Sequence, residues 1–383
     1  MQSLTEPKQN SQLATKTSWL LLAIAINALE LAFPRLPFLP WLKPGLSNVI
    51  TMIWIIKYGT TDAVLFTVLR VWISGFYFGF SLLTLSLGLG GGVLSTCAMG
   101  ILWSILGKRN HLGTVGLGMV GALFHNLGQL GVVYLFMARN FRIFYQLPFM
   151  IIAAMILGSM VGALVPVFIR ILPDPDISEN DDTPKINRKI SKTCLRDKLA
   201  ATLMLTVSIA LLFTTDYLIL LSAVAVISII CLKIDNWNWR TILFPLKFYW
   251  IFLFTGFIHL IFSYGTSLDA VPFLTIEGLQ KTAVQWLRLW AWLEATHIFR
   301  KFRFHDLFFS LIGRAFPHKS STLDAGIIAL ELFPETISGV GKKRSIKSVV
   351  NFIRKPSHFL RVQVDSINLR IASAITEPRQ VKE

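Results

Sequence analysis

The chain has 383 residues, of which 54% are hydrophobic and only 15% are charged. Soluble domains carry about 25% charged residues, so this composition excludes an ordinary soluble protein and predicts a polytopic membrane protein. The formal net charge of +16 does not by itself indicate nucleic-acid binding, because Lys and Arg also collect in the cytoplasmic loops of membrane proteins.

Apolar runs of spanning length predict ten membrane helices. The first six are expected at roughly 17–33, 46–58, 62–78, 80–106, 113–137 and 147–171, and the second of them is short. A polar stretch with three prolines over 172–198 then predicts a solvated linker and a domain boundary. Four further helices are expected at roughly 199–213, 216–232, 241–263 and 279–298.

The sequence from residue 300 onwards predicts a basic tail. It contains no run long and apolar enough to cross a membrane, and it holds fifteen Lys and Arg against seven Asp and Glu. Within it, 305–316 and 323–333 have apolar residues at helical spacing. This spacing predicts amphipathic helices that lie at the membrane interface, pack on a partner or cap the bundle. The distribution of Lys and Arg favours a cytoplasmic location for the linker and for both chain ends.

The fifth predicted span contains three polar residues in the stretch GALFHNLGQL, which are His125, Asn126 and Gln129. At about 100° per residue, His125 and Gln129 share a helix face with Gly118 and Gly121, and Asn126 lies at the flank of this face. Each unsatisfied polar group in hydrocarbon costs several kcal/mol, so we expect this face to point towards other helices or a cavity.

A charged residue, Arg70, lies near the middle of the third predicted span. An Arg at this depth costs roughly 2.5–3.5 kcal/mol on insertion scales, so it requires a partner or a polar cavity. Asn48 adds an amide near the outer end of the second span. Three interpretations follow: Arg70 pairs with Glu30 and the polar residues hold helices together, or the cluster forms a pocket for an acidic ligand, or His125 relays protons.

Four motifs in the first half occur in the order and spacing of a known family: GLSNVIT (45–51), VLRV (68–71), SLGLGGGVLSTCAMG (86–100) and GALFHNLGQL (121–130). In these motifs residues 17–171 resemble the family called heptaprenyl diphosphate synthase component I, or Gx transporter. Its members resemble the substrate-binding S components of energy-coupling-factor (ECF) transporters. The resemblance implies a six-helix domain that binds a small organic micronutrient or precursor, with isoprenoid- or quinone-related compounds among the options. The predicted substrate-binding residues are Asn48, Arg70, His125, Asn126 and Gln129.

The second half resembles the T subunit of the same transporters, the membrane scaffold that couples to paired ATPases. The resemblance lies in 240–266, in the EGL-containing segment 274–299, and in 323–345. It implies a coupling helix that ends in Ala-Arg-Gly or Ala-Arg-Ser, for which this sequence has Lys343, Arg344 and Ser345. A second such motif is expected downstream, where the nearest segment, Pro378-Arg379-Gln380, departs from the pattern.

The predicted fold is an all-α polytopic membrane protein. A six-helix S-component-like bundle precedes a four-helix T-subunit-like domain with cytoplasmic amphipathic coupling helices. The predicted domains are a cytoplasmic N-terminal tail (1–16), a substrate-binding membrane domain (17–171), a charged linker (172–198), a T-subunit-like transmembrane domain (199–299) and a basic helical tail (300–383). We expect a multi-pass protein of a prokaryotic plasma membrane with both termini in the cytoplasm.

The sequence predicts that the chain is not itself an enzyme. Its one Asp pair, Asp181-Asp182, lacks the third acid of the DDxxD motif that prenyltransferases share. Thr336 and Lys343 stand where a P-loop requires Gly and Ser or Thr. We therefore expect no directly bound cofactor, with ATP and Mg²⁺ held by ABC-type ATPase subunits in trans. The further expected partners are a small-molecule substrate and the lipid bilayer, without nucleic acid.

Two other functions stay open from the sequence. One is a non-transporting membrane scaffold that associates with polyprenyl diphosphate or quinone biosynthesis through its basic tail. The other is a secondary transporter driven by protons that pass through His125.

Overall fold

The computed structural model describes residues 6–30, 45–78, 82–107, 112–171, 214–262, 266–268, 271–301 and 304–341, together with isolated residues between 199 and 213. This part of the chain is helical apart from one short β-hairpin. Five of its helical segments are long and apolar enough to cross a membrane. The prediction of a polytopic membrane protein built from helices is therefore confirmed.

The first half contains six helices in succession. A π-helical turn, Tyr134–Ala138, extends the fifth helix, and a 3-10 turn, Phe141–Gln146, leads into the sixth. The six helices are α1 (Glu6–Glu30), α2 (Ser47–Tyr58), α3 (Thr60–Phe78), α4 (Leu82–Leu106), α5 (Thr114–Val133) and α6 (Leu147–Ile171).

The described residues from 217 to 341 add five helices and the hairpin. The 3-10 turns Trp239–Thr241 and Phe244–Phe248 join the first two of these helices. The elements are α7 (Tyr217–Ile234), α8 (Tyr249–Phe262), β1 (Ser267–Leu268), β2 (Val271–Thr275), α9 (Ile276–Lys301), α10 (Phe304–Ala315) and α11 (Ser320–Gly341). The strands pair antiparallel, with Ser267 opposite Thr275. The sequence did not predict this hairpin, because its strands are too short to show an alternating pattern.

Apolar length explains where the spanning segments begin and end. The five that meet the length and hydropathy expected of a span are Leu82–Leu106, Thr114–Ala138, Phe141–Arg170, Tyr217–Ile234 and Trp239–Ile261. Each overlaps a predicted span. The helices α1, α2, α3 and α9 were also predicted as spans, and they are shorter or more polar than these five.

Successive helices of the first half run antiparallel. The end of α1 meets the start of α2, where the Ser47 N–H lies 3.1 Å from a carboxylate oxygen of Glu30. Further back on α1, the Lys16 ammonium lies 4.9 Å from the ring centre of Tyr58 at the end of α2. Contacts from α3 to α6 alternate in the same way. The bundle is thus an up-and-down arrangement.

Glycines allow two pairs of helices to cross with their backbones in contact. A Cβ placed on Gly128 of α5 would lie 2.3 Å from the carbonyl oxygen of Gly90 on α4. A Cβ on Gly118 would lie 2.3 Å from the carbonyl oxygen of Gly158 on α6. Because any side chain here would force the helices apart, the glycines set the close spacing of α4, α5 and α6.

The last described helix packs against the first bundle along the whole length of α3. The tail stretch 323–333 was predicted to be amphipathic, and its apolar residues are buried against α1 and α3. In chain order, the contacts join Asp62 to Thr322, Leu69 to Gly326 and Tyr77 to Leu330. This order means that α11 runs parallel to α3.

The ninth helix makes a separate contact with the first bundle. The Gln285 side-chain amide donates to the carbonyl oxygen of Phe136 at 2.7 Å, and the rings of Phe136 and Trp292 stack at 5.1 Å. The Thr296 hydroxyl accepts the N–H of Leu82 at 3.2 Å. A π-helical turn interrupts the normal ladder of backbone hydrogen bonds, so its carbonyl groups are open to such contacts.

Candidate functional site

The buried arginine lies at the contact between α2 and α3. Arg70 is only 4% exposed, and its Nη2 donates to the Asn48 side-chain oxygen at 3.2 Å. Its Nε and Nη1 have no hydrogen-bond partner among the described residues. An arginine has five N–H donors and no acceptor, so these buried donors indicate an incompletely satisfied site.

An acidic residue, Glu30, lies beside this arginine at the end of α1. Its carboxylate accepts the backbone N–H of Ser47 at 3.1 Å and the Ser47 hydroxyl at 3.4 Å. A carboxylate at this position stabilises the first turn of α2, where backbone N–H groups lack helical partners. Glu30 is also close enough to attract Arg70 electrostatically. Glu30 therefore caps the helix that carries Asn48 and supplies a negative charge near Arg70.

The polar residues of α5 are oriented by two neighbouring helices. The Asn126 side chain is 6% exposed and donates to the carbonyl oxygen of Met150 on α6 at 3.0 Å. The His125 ring and the Gln129 side chain face Gly91 on α4, where a Cβ would lie 3.1 Å from His125 Cε1 and 2.8 Å from Gln129 Cγ. Gly91 thus makes room for both polar side chains, and the predicted inward-facing surface of α5 is present.

A small cavity lies among α2, α4, α5 and α6. Three of the predicted site residues, Asn48, His125 and Asn126, line it, together with small residues such as Gly121 and Ala153. The cavity has a volume of about 20 Å³. A single water molecule needs roughly 10–15 Å³, so the cavity has room for a water molecule but not for an organic ligand.

Asn48 connects the cavity with the arginine. It lines the cavity and also binds Arg70 through its side-chain oxygen. Gly45, one turn earlier, has a positive φ of 72° and accepts the N–H of Asn48 at 2.9 Å. A glycine adopts this conformation without the strain that other residues incur. The turn before α2 therefore helps to place Asn48 between Arg70 and His125.

The first half also has a clear relative among known families. Residues 20–168 match the family model described as heptaprenyl diphosphate synthase component I. The match covers 149 of the 383 residues, so it shows similarity to that family over this segment. The match runs from α1 to α6, which confirms the resemblance seen in the four motifs. No curated protein and no solved structure matches the chain. The T-subunit resemblance of the second half stays a prediction.

All five predicted substrate-binding residues lie within the component I segment. Arg70 of α3 binds Asn48 of α2, and Asn48 lines the same cavity as His125 and Asn126 of α5, with Gln129 one turn further along α5. Gln129 is 5% exposed, and its side-chain oxygen has no partner among the described residues. Sequence reasoning named Glu30 only as a partner for Arg70, and no sequence signal indicates that it caps α2, because it lies 17 residues before Ser47.

Aromatic residues that follow Arg70 on α3 contact the two C-terminal helices. The Trp72 ring stacks on Phe308 of α10 at 3.8 Å, and the Tyr77 hydroxyl donates to a backbone carbonyl of α11. These rings therefore hold the two C-terminal helices. Apart from Asn48, His125 and Asn126, the cavity is lined by glycine, alanine, methionine, leucine and valine.

Two further predictions concern coupling and metal binding. Lys343, Arg344 and Ser345, predicted to couple to an ATPase, lie outside the described residues. In the described part of the chain, no three His, Cys, Asp or Glu side chains are grouped so that they could hold a metal ion.

Proposed function

We propose that this chain is the membrane component of an ECF-type importer, in which the component I segment binds a small organic molecule with an acidic group. The observation that supports this most directly is Arg70, buried in the six-helix bundle with unused donors and linked through Asn48 to the His125 cavity. Buried intramembrane charges are costly and usually mark substrate or ion pathways.

The polar groups around the cavity suit an acidic ligand with a hydrogen-bond donor. Arg70 offers N–H donors to an anionic group, and hydrogen bonds of this charge-assisted kind are among the strongest in proteins. Gln129, one turn after His125 on α5, offers an acceptor oxygen, and His125 lines the cavity. Pockets for organic ligands occupy about 300–1,000 Å³, so ligand binding requires the helices around the cavity to separate.

Energy for import would come from ABC-type ATPase subunits in trans, because no ATP-binding motif is present in this chain. In this proposal Lys343, Arg344 and Ser345 contact an ATPase, since an arginine offers several donors to carbonyl or carboxylate oxygens in a partner's groove. The chain itself would carry neither ATP nor Mg²⁺ and would not be the catalyst. Its place would be the plasma membrane of a prokaryote, with both termini in the cytoplasm.

The ligand site is tested by identifying what the protein carries. We would purify the full-length chain and its Arg70→Gln variant in mild detergent and compare their bound small molecules by mass spectrometry. Loss of a charge-assisted hydrogen bond lowers affinity by roughly 10- to 100-fold, so the acidic compound should disappear from the variant. Arg142→Gln, the same change outside the cluster, is the control. An identical set of compounds in all three samples would contradict the proposal.

The coupling role is tested by affinity purification of the tagged native chain and of Arg344→Glu. Paired ATPase subunits should co-purify with the native chain and be lost from the variant. If no ATPase accompanies the native protein, a steep pH dependence of compound uptake would instead support proton-driven transport through His125.

A second candidate function rests on the description of the matched family. That description names a component of heptaprenyl diphosphate synthase, so a membrane scaffold that holds such an enzyme is the alternative. In that case a prenyltransferase, and not ATPase subunits, should co-purify with the native chain. Arg70→Gln should then leave both the co-purifying enzyme and its activity unchanged.

A further inference from the structure

The connection between α7 and α8 has an unusual surface. We define the 233–249 surface as the side chains between Lys233 and Tyr249 that face away from the protein. Trp237 is 69% exposed, and Trp239 and Tyr249 are each 64% exposed. Three aromatic side chains exposed within one connection of a membrane protein indicate contact with lipid or with a partner.

The exposed charged side chains of this surface are all positive. Lys233, Arg240 and Lys247 are all exposed. Asp235 is the sole acid of the segment, and its carboxylate is occupied by the Thr241 hydroxyl at 2.7 Å and by His297 Nε2 at 2.7 Å. The surface therefore presents positive charge next to aromatic rings.

The backbone of this connection is strained at two residues. Asn236 and Trp237 both have positive φ, at 53° and 62°, a conformation that glycine adopts more readily. The N–H of Trp237 bonds to the carbonyl oxygen of Leu232 at 2.7 Å, which closes the end of α7. Strained residues of this kind tend to be found where a segment has a function.

The position of the surface along the membrane normal follows from helix length. The 18 residues of α7 span about 27 Å at 1.5 Å per residue, close to the roughly 30 Å thickness of the hydrocarbon core. The next regular helix, α8, begins only at Tyr249, after the 3-10 turns Trp239–Thr241 and Phe244–Phe248. We therefore place the connection between α7 and α8 at the level of the lipid headgroups. At the other end of α7, Asp216 accepts the N–H groups of Leu218 and Ile219, so the two ends differ in charge.

We propose that the 233–249 surface binds the headgroups of anionic phospholipids. Tryptophan and tyrosine favour the membrane–water interface, where the ring is partly apolar and its polar atom stays hydrated. Lys233, Arg240 and Lys247 supply the attraction to negatively charged headgroups. The inference depends on the chain spanning a membrane and not on the transported molecule.

The charge preference is tested with the full-length protein in detergent micelles that contain phosphatidylcholine and phosphatidylglycerol. Mass spectrometry would count the phosphatidylglycerol retained by each protein molecule. One variant carries Lys233→Gln, Arg240→Gln and Lys247→Gln. Its control carries the same number of charge removals at other exposed positions, as Arg170→Gln, Lys281→Gln and Arg314→Gln. Each cation near an anionic surface contributes about a fivefold preference for anionic lipid. The ratio of retained phosphatidylglycerol to retained phosphatidylcholine should therefore fall by roughly tenfold or more in the first variant.

The aromatic contact is tested by fluorescence quenching with brominated lipids in nanodiscs. Quenching by brominated phosphatidylglycerol should exceed quenching by brominated phosphatidylcholine in the native protein. The excess should disappear when Trp237 and Trp239 are replaced by Phe. Equal losses in the test and control charge variants would show a general charge effect and overturn the proposal. So would capture of a soluble protein by this surface with no lipid preference.

Discussion

The acidic residue at the start of α3 holds the C-terminal helix on the first bundle. Asp62 is 3% exposed and accepts the Trp54 indole N–H at 3.0 Å and the Thr322 hydroxyl at 2.6 Å. Its second oxygen lies 3.2 Å from the Lys319 ammonium. The consecutive helices α2 and α3 and the distant C-terminal helix therefore meet at one carboxylate. We predict that Asp62→Ala loosens α11 from α1 and α3.

The expected loss can be worked out bond by bond. Hydrogen bonds to a buried charged group contribute about 1.5–3 kcal/mol each, and two of them end on Asp62. The Lys319 side chain is 33% exposed, so its ion pair adds only about 0–1 kcal/mol. Asp62→Ala should therefore lower the free energy of unfolding by about 3–7 kcal/mol. Asp62→Asn keeps one acceptor oxygen, which suffices because Trp54 and Thr322 both donate to the same oxygen, and it gives up only the ion pair with Lys319 and the negative charge, so it should lose less than half of that.

The assay is thermal unfolding in detergent, followed with a dye that reacts with thiols. Cys231 is fully buried and becomes reactive only when the fold opens. Thr322→Val and the double variant with Asp62→Ala complete a double-mutant cycle, in which we expect a coupling energy of about 1–2 kcal/mol. An unchanged unfolding temperature for Asp62→Ala, or strict additivity with Thr322→Val, would refute the reasoning.

Three further predictions follow from single contacts. Gly118→Ala should lower the free energy of unfolding by about 1–3 kcal/mol, because the added Cβ would clash with a backbone oxygen of α6. Gly131→Ala is the control and should not lower it, because the space around Gly131 is open. Arg288→Met should destabilise the second half in the same assay by about 3 kcal/mol or more, because this buried side chain donates to two backbone carbonyl oxygens that precede α7. The pKa of Glu277 is lowered by hydrogen bonds from its own N–H and from the Thr266 hydroxyl. These bonds should therefore stabilise the fold above the unfolded-state pKa of Glu277. Their contribution should be lost as the pH falls through the lower folded-state pKa. Thr266→Val should flatten this pH dependence in acid titrations of the unfolding temperature, and an unchanged profile would contradict the assignment.

Much of the membrane fold could be predicted from the chain alone. Apolar runs predicted spans at 80–106 and 113–137, and the structure has spanning segments at Leu82–Leu106 and Thr114–Ala138. This works because the hydrocarbon core requires about 20 apolar residues and internally paired backbone groups. The same requirement indicated that the polar face of α5 points inward. The hairpin before α9 was missed, because its strands are shorter than any recognisable period.

The location of the candidate site could be predicted, but its geometry could not. His125 and Arg70 were singled out because polar groups are costly in lipid. Asn48 binds Arg70 and lines the cavity of His125, and Glu30 caps α2. Both contacts depend on how far along their lengths the helices α1, α2, α3 and α5 approach one another. These positions follow from helix packing, which the residue pattern of a single helix does not contain. The cavity's small size is likewise set by the close approach of α4, α5 and α6.

The sequence by itself determined that this chain crosses a membrane, that its first half is similar to the component I family, and which polar residues face inward. Each of these follows from local composition or from motifs. Only the tertiary structure showed that α11 lies along α3, held at Asp62, and that Trp72 and Tyr77 bind the C-terminal helices. These contacts join residues more than 200 positions apart, and an aromatic side chain has the same local pattern whether it faces a ligand, a lipid or another helix.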